Sequence, residues 1–426
     1  MTTALDRLGF HYFPDEQHYT ERELALWLPE VQALGARWLV LRGNARRSIP
    51  EPFIRGLIDG GVQPVVHLPV EIGSIVRAEL DALLQAYAHW GVRHVAVYDR
   101  PNQRRAWREA DWARPNLIDR YLDSLLPVLQ AQQACGLRPI LPPLEPGGDY
   151  WDTAFLQATL ESFARRAPKA LQSDLVLGLY AWSYGHPLGW GAGGPTAWKN
   201  VQPYADPIEG EDQRGIRIFE WYRQIVREVV GADAPMIVLA GGITSTEASL
   251  TEEERISQAL AIRQMLASSN DAQGVQAFAF YPLATDPAHP DAERAWYGSP
   301  ASPKPLAEAF LRAAAQASGK TAPPPAARTN AGRRYILLPS DPQAAAILDW
   351  PALSRLAVDA NSAMGASVEE AVRCQEVVLA GLPSEYSVQV LEQLEASGCI
   401  LLHRHHPAGM PPGVIPSHVA RASEAA

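Results

Sequence analysis

Leu34-Gly35-Ala36-Arg37-Trp38-Leu39-Val40-Leu41-Arg42 reads as a helix end, a turn and a strand in one short run. Glycine closes helices because it enters the left-handed region without a Cβ penalty. The apolar segment Trp38–Arg42 then has the composition of a buried strand. The same unit recurs: Gly61 precedes Pro64–Leu68, Gly91 precedes His94–Tyr98, and Gly136 precedes Arg138–Leu141. Between these runs lie the amphipathic stretches Arg22–Leu34, Arg77–His89 and Ile118–Ala134. Strand, helix and closing glycine in repetition is the pattern of βα units around a parallel sheet.

Working outward, Leu8–Phe13, Leu175–Tyr180, Met236–Leu239 and Val275–Phe280 complete eight strands, with helices predicted at Asp152–Ala164, Gly215–Val230 and Glu252–Ala267. Eight such strands fit a closed barrel, so the expected fold class is α/β: a (β/α)8 TIM barrel over residues 1–316. A Pro/Ala-rich linker is expected over 317–333. A small α/β domain should follow over 334–406, with strands at Tyr335–Leu338, Glu376–Ala380 and Ile400–His403 and helices at Trp350–Val358, Val368–Arg373 and Ser387–Ala396. The Pro-, Ala- and Ser-rich tail, 407–426, is expected to be disordered.

The chain has 426 residues, 47% of them hydrophobic, enough for a large core. Its net charge of -10 argues against nucleic acid and anionic membrane surfaces as partners. Three widely spaced cysteines suggest no disulfide framework. Neither a signal-peptide apolar region at the start nor an apolar run of about 18 residues is visible, so the expectation is a soluble, cytoplasmic protein.

Several motifs, taken in order, resemble the clan of retaining glycoside hydrolases with (β/α)8 barrels, family 39 and its relatives especially. Arg42 matches the arginine that ends their second strand. Gly61-Val62-Gln63-Pro64-Val65-Val66 resembles the run into their third. Tyr98-Asp99-Arg100-Pro101-Asn102 is similar to the Tyr-Asn-Glu-Pro-Asn closing the fourth strand, and Ile237-Val238-Leu239-Ala240-Gly241-Gly242 to the seventh, which ends in Thr-Glu-Gly. Trp182-Ser183-Tyr184-Gly185 resembles His-Pro-Tyr-Gly after strand six, and Ser302-Pro303-Lys304-Pro305 the Pro-Lys-Pro of the last helix. The resemblance spans roughly residues 8 to 315 and implies that fold. It also implies a departure. Retaining hydrolysis uses two carboxyl groups roughly 5 Å apart, and the two expected glutamates are replaced by Arg100 and Ala240.

Sites of such barrels lie at the C-terminal ends of the strands. Asp99 is there either as a ligand-orienting carboxylate paired with Arg100 or as a rim ion pair. Glu145, in the Pro-Pro-Leu-Glu-Pro-Gly-Gly loop after strand five, is either a displaced acid or a loop carboxylate. These two are the candidate catalytic residues. Arg42, left without a strand-seven glutamate, suits an anionic ligand group, with a satisfied core arginine as the alternative. Tyr180, Trp182, Tyr184 and Trp190 stand among glycines after strand six. Flat rings there stack on sugar faces or cations, or else plug their own barrel. His67, Tyr98, Arg100 and Asn102 complete the expected ligand-binding set; His11 and Tyr12 lie nearby. Glu209, Glu211 and Asp212 offer a migrated nucleophile or, by default, an exposed acidic face. Gly241-Gly242-Ile243-Thr244 also looks like half of a phosphate-binding turn, and His403-Arg404-His405-His406 is a weak metal motif. No cofactor and no metal are expected.

Three functional readings follow. The first is a degenerate, non-hydrolytic barrel that binds a carbohydrate or small polar ligand. The second is an active glycoside hydrolase with relocated carboxylates, Asp99 and Glu145. The third is an interaction scaffold acting through the C-terminal domain.

Overall fold

The structure, a computed structural model, describes residues 6–404 and 413–414, apart from short stretches at 206–209, 244–249, 269, 301, 318–329, 342–343, 345–347, 360–361, 373, 382–384 and 397–399. Eight parallel strands close into a barrel in sequence order: β1 (Leu8–His11), β2 (Trp38–Arg42), β3 (Gln63–Leu68), β4 (His94–Val97), β5 (Arg138–Leu141), β6 (Val176–Trp182), β7 (Met236–Gly242) and β8 (Val275–Phe280), with β8 pairing back to β1. A long helix follows each strand: α1 (Glu21–Ala33), α2 (Glu51–Asp59), α3 (Arg77–His89), α4 (Leu117–Ala134), α5 (Asp152–Arg166), α6 (Ile218–Val230), α7 (Glu252–Ala267) and α8 (Pro305–Ala317). The predicted TIM barrel is therefore the observed architecture.

Helix and strand boundaries follow local chemistry. Thr20 and Thr251 form capping boxes with Glu23 and Glu254 at the starts of α1 and α7. Gly35, Gly61, Gly91 and Gly136 all take positive φ, between 77° and 94°, in the turns before β2 to β5. Helix α6 buries Ile218, Phe219, Trp221, Tyr222, Ile225 and Val226, a stripe at helical spacing.

The two-residue period of a strand decides what faces the lumen. Trp38 and Val40 lie in the inner cluster with Val65, Ala96, Ile140, Ile237 and Ala277, whereas Leu39 and Leu41 join the layer between strands and helices. Each fully buried Leu, Val or Phe in these layers contributes about 1.5–3 kcal/mol. Continuing the inner parity to the strand ends carries His11, Arg42 and His67 toward the mouth on β1 to β3, and Tyr180, Trp182 and Tyr281 on β6 and β8. Register shifts at Leu179/Tyr180 and Val238/Gly241 bring both Leu239 and Ala240 into the inner cluster.

The chain divides into two compact units, Met1–Lys320 and Thr321–Ala426. Within the second, Ala363–Gly365, Asn330–Leu337, Cys374–Ala380 and Ile400–Arg404 form a parallel sheet in that spatial order, extended by antiparallel Gly413–Val414. Its first strand starts at Asn330, inside the stretch expected to be linker, because Asn330 already pairs with Cys374. Most of that linker, the tail and residues 405–406 lie outside the described residues.

Candidate functional site

The site grows from the end of β4. Alternation would send Tyr98 inward after Ala96, but Tyr98 takes φ 75°. It is instead buried in the strand–helix layer, with its hydroxyl directed at the Ser124 carbonyl of α4. That turn delivers Asp99 and Arg100 to the mouth. Arg100, itself at φ 46°, extends across the ring of Tyr180, its guanidinium carbon 4.3 Å from the ring centroid. Its Nη1 donates to Asp99 Oδ2 at 2.9 Å. Its Nε lies 2.5 Å from Glu145 Oε2, an ion pair. The Tyr180 hydroxyl donates to the other Asp99 oxygen at 2.7 Å. Burial works against the Arg100 charge, but Tyr180, Asp99 and Glu145 outweigh it and hold the guanidinium above its usual range. Burial and the adjacent Asp99 push the Tyr180 phenol far up, so it stays a donor.

Glu145 is positioned by the β5 loop. Asn102 is fully buried; its Nδ2 donates to the carbonyls of Glu145 and Tyr150 and its Oδ1 accepts from Glu145 N. Gly148 is required there, since a Cβ would stand 2.5 Å from Asn102 Nδ2. Gly147, at φ 70°, donates its N–H to the buried Asp152 carboxylate, which also accepts from Gln213 and Tyr222. Burial raises the Asp152 pKa against these hydrogen bonds.

The opposite side is built differently. His67 Nε2 meets the Tyr98 carbonyl at 3.1 Å and stands 4.0 Å from Asp99 Oδ1. His11 is buried, its ring edge-on to Tyr281 at 5.0 Å, and its Nδ1 has no hydrogen-bond partner. Burial, with His67 and Arg42 nearby, lowers its pKa to about 3. Burial likewise lowers that of His67, although Asp99 opposes it. Arg42 is half-buried, and its guanidinium makes no ion pair or hydrogen bond among the described residues. Its backbone carbonyl is fixed by the Tyr19 hydroxyl at 2.6 Å. Between the two sides Trp182 lies nearly parallel to Tyr180 at 6.3 Å and edge-on to Tyr281 at 5.8 Å. Tyr281 is oriented by Asp291, which accepts from its hydroxyl at 2.9 Å. Ala240, 4% exposed, contributes only a methyl to this wall.

Asp99, Arg100, Glu145, Tyr180 and Trp182 thus come together with Arg42 and His67, and Tyr184 stands close enough for Glu145 to raise its phenol pKa, after burial. Three expected ligand residues serve the scaffold instead. Tyr98 turns into the helix layer and Asn102 spends its amide on the β5 loop. Trp190 stacks on His186 at 3.7 Å within the loop after β6. Glu211 accepts from Gly191 N and Asp212 pairs with Arg214, so both brace that loop rather than act as a migrated nucleophile; Glu209 lies outside the described residues. Gly241 and Gly242 are strand residues paired with Ala181 and Trp182, not a phosphate turn, and Thr244 lies outside the described residues. Tyr281 was missed, although its parity with Ala277 and Ala279 marks it. Among the described residues Asp15, His18 and Asp286 have ligand atoms within 4.8 Å of one another. His18 uses Nδ1 on Asp15 at 2.9 Å and lies 3.5 Å from Asp286 through Nε2, a salt-bridged rim cluster. No helix among the described residues is long and apolar enough to cross a membrane.

The fold and site define an eight-stranded βα barrel with a charged, aromatic mouth. No family model matches the chain, and no curated protein matches it. Among solved structures it is similar to a monomeric beta-xylosidase from Caulobacter crescentus, at 15% identity over 73% of this chain and 69% of that one, with a TM-score of 0.46. It is similar to an endo-beta-1,3-glucanase from Sorangium cellulosum at 16% identity, over 75% of this chain and all of that one, with a TM-score of 0.43. A xyloglucanase from Bacteroides ovatus gives 10% identity over 74% and 77%, with a TM-score of 0.43. At such values the likeness carries nothing about activity, and the fold rests on the strand order and registers of this chain.

Proposed function

We propose that the barrel mouth binds a carbohydrate or other small polar ligand without cleaving it. The observation that carries this reading is the placement of Arg100. Hydrolysis by two carboxyl groups needs one to protonate the leaving oxygen and the other to attack or to activate water. Here Asp99 and Glu145 both engage a single guanidinium stacked on Tyr180, and Ala240 brings no carboxylate from β7. The Trp182–Tyr281 shelf offers apolar ring surface beside these polar groups, the mixture a sugar face and its hydroxyls require. Titration of the purified chain against oligosaccharides and aryl glycosides tests it, with binding followed calorimetrically and release of product monitored. Saturable binding without product is expected; turnover sinks the non-hydrolytic reading.

One observation favours a second reading, an active hydrolase with relocated acids: the same guanidinium holds Asp99 and Glu145 side by side at the mouth. If that reading holds, Asp99→Asn abolishes turnover, and an active Asp99→Asn enzyme removes Asp99 from the chemistry.

A further inference from the structure

We infer that Asp152, a buried carboxylate that no ligand reaches, is a positioning residue for the mouth: it ties the turn that carries Glu145 to the loop that carries Tyr184. This rests on the binding reading above and deepens it by naming what holds the β5–β6 side of the site in shape.

Asp152 opens α5 and has no exposed surface. It accepts hydrogen bonds from three separate elements. Gly147 N of the β5 turn and Gln213 Nε2 of the loop after β6 both reach Oδ1, each at 2.8 Å. The Tyr222 hydroxyl of α6 reaches Oδ2 at 2.9 Å. All three donors are neutral, so the carboxylate lies in the interior with no cation among these partners. As packing alone this is unfavourable, since a buried ion is costly and an apolar side chain of similar size fills the same space without that cost. What the carboxylate supplies is acceptor capacity in several directions from one residue.

Those bonds bear on the mouth because of where the donors sit. Glu145-Pro146-Gly147-Gly148 is a tight turn, closed by Gly148 N donating to the Glu145 carbonyl at 3.0 Å, with Gly147 at φ 70°. Proline followed by a residue at positive φ is the type II arrangement. Asn102 clamps the amide and carbonyl of Glu145 itself, and Asp152 clamps the amide two residues on. Glu145 is thereby aimed at Arg100 from a turn held on both flanks. On the other side Gln213 lies in the segment where Glu211 accepts from Gly191 N, and Trp221, next to Tyr222, donates to the Gly191 carbonyl at 2.8 Å. That loop also carries Tyr184, whose phenol, raised first by burial, feels both Glu145 and Asp152. An apolar residue at 152 would release Gly147 and Gln213 together, and with them the aim of Glu145 and the course of the β6 loop.

The test is hydrogen–deuterium exchange on the full chain, with calorimetry of cellotetraose and xylotetraose binding beside it. In Asp152→Ala, exchange at 145–148 and 210–215 should rise roughly tenfold or more while the barrel strands keep their wild-type protection. Asp152→Asn, which keeps an oxygen for Gly147 and Gln213, should stay close to wild type. Saccharide affinity should follow the same order, falling roughly fivefold or more in Asp152→Ala, because a looser site must be ordered on binding. Exchange that is unchanged at both segments, or that rises evenly over the whole chain, overturns the inference. So does an Asp152→Asn chain as loose as Asp152→Ala, or wild-type affinity in a loosened Asp152→Ala chain. If Asp152→Ala does not fold, Gln213→Leu decides: exchange at 210–215 should rise and affinity fall, and unaltered exchange there overturns the link. Failure of the wild-type chain to bind either saccharide counts against the binding reading alone, because the exchange comparison needs no ligand.

Discussion

The two sides of the barrel mouth hold the same kinds of residue in opposite states. At the ends of β4, β5 and β6, Asp99, Arg100, Glu145 and Tyr180 engage one another within one cluster. On β1 and β2, the Arg42 guanidinium and the His11 Nδ1 have no hydrogen-bond or ion-pair partner among the described residues. A charge saturated by its neighbours contributes to the fold, and its removal strands those neighbours. A charge without neighbours contributes little to the fold and is open to a ligand. The same residue type, arginine at a strand end, is therefore a strut in one place and unengaged in the other.

The sharpest way to break this contrast is to remove the strut. Arg100→Met leaves Asp99 and Glu145 facing each other, and should cost about 3 kcal/mol in urea denaturation. That is the low end for a broken buried pair, because about a quarter of each side chain meets solvent. Adding Asp99→Asn should recover part of the loss. A neutral Arg100→Met would mean that the cluster does not hold the mouth together. The aromatic shelf between the sides comes next. Trp182→Ala should weaken saccharide binding by about 2 kcal/mol with a smaller effect on the melting temperature; a larger stability loss than binding loss makes Trp182 core.

Acid acts through buried histidines at both ends of the barrel. His11 has its pKa lowered to about 3, and His94, buried against Trp38 with an unpartnered Nδ1, to about 4 by burial and then by Arg138 and Arg93. In the unfolded chain both titrate near 6.5. Above that pH neither state binds the proton and there is no penalty. Between about 6.5 and the lowered values only the unfolded chain takes it up, so stability falls with pH and levels off below them. Unfolding free energies from urea denaturation at pH 7 and pH 5 should differ by about 3–4 kcal/mol, with about half that gap in His94→Gln. An unchanged gap assigns the acid loss to other groups. The smallest effect belongs to the unengaged arginine: Arg42→Gln should shift stability by less than about 0.5 kcal/mol, as for a charge without partners. A loss of several times that makes Arg42 structural.

Much of this was legible before the fold was known. The strand order, the closing glycines and the place of Arg42 at the end of β2 are local properties, set by backbone preference and apolar patterning within a single segment. So is the absence of a glutamate at positions 100 and 240. The residues whose surroundings differ from expectation have a common cause in tertiary contact. Tyr98, Asn102 and Trp190 look like ligand residues by position. Their placement depends on the Ser124 carbonyl, the β5 loop and His186.

The sequence alone settled the barrel, its eight strands and the residue types at their ends, because secondary structure and parity are encoded a few residues at a time. Tertiary structure alone decided which charges are spent. Whether an arginine is clamped or free depends on carboxylates brought from separate strands, as Glu145 is brought from the β5 loop to Arg100 at the end of β4. Ion pairing follows distance in space, and only the closed barrel fixes that distance.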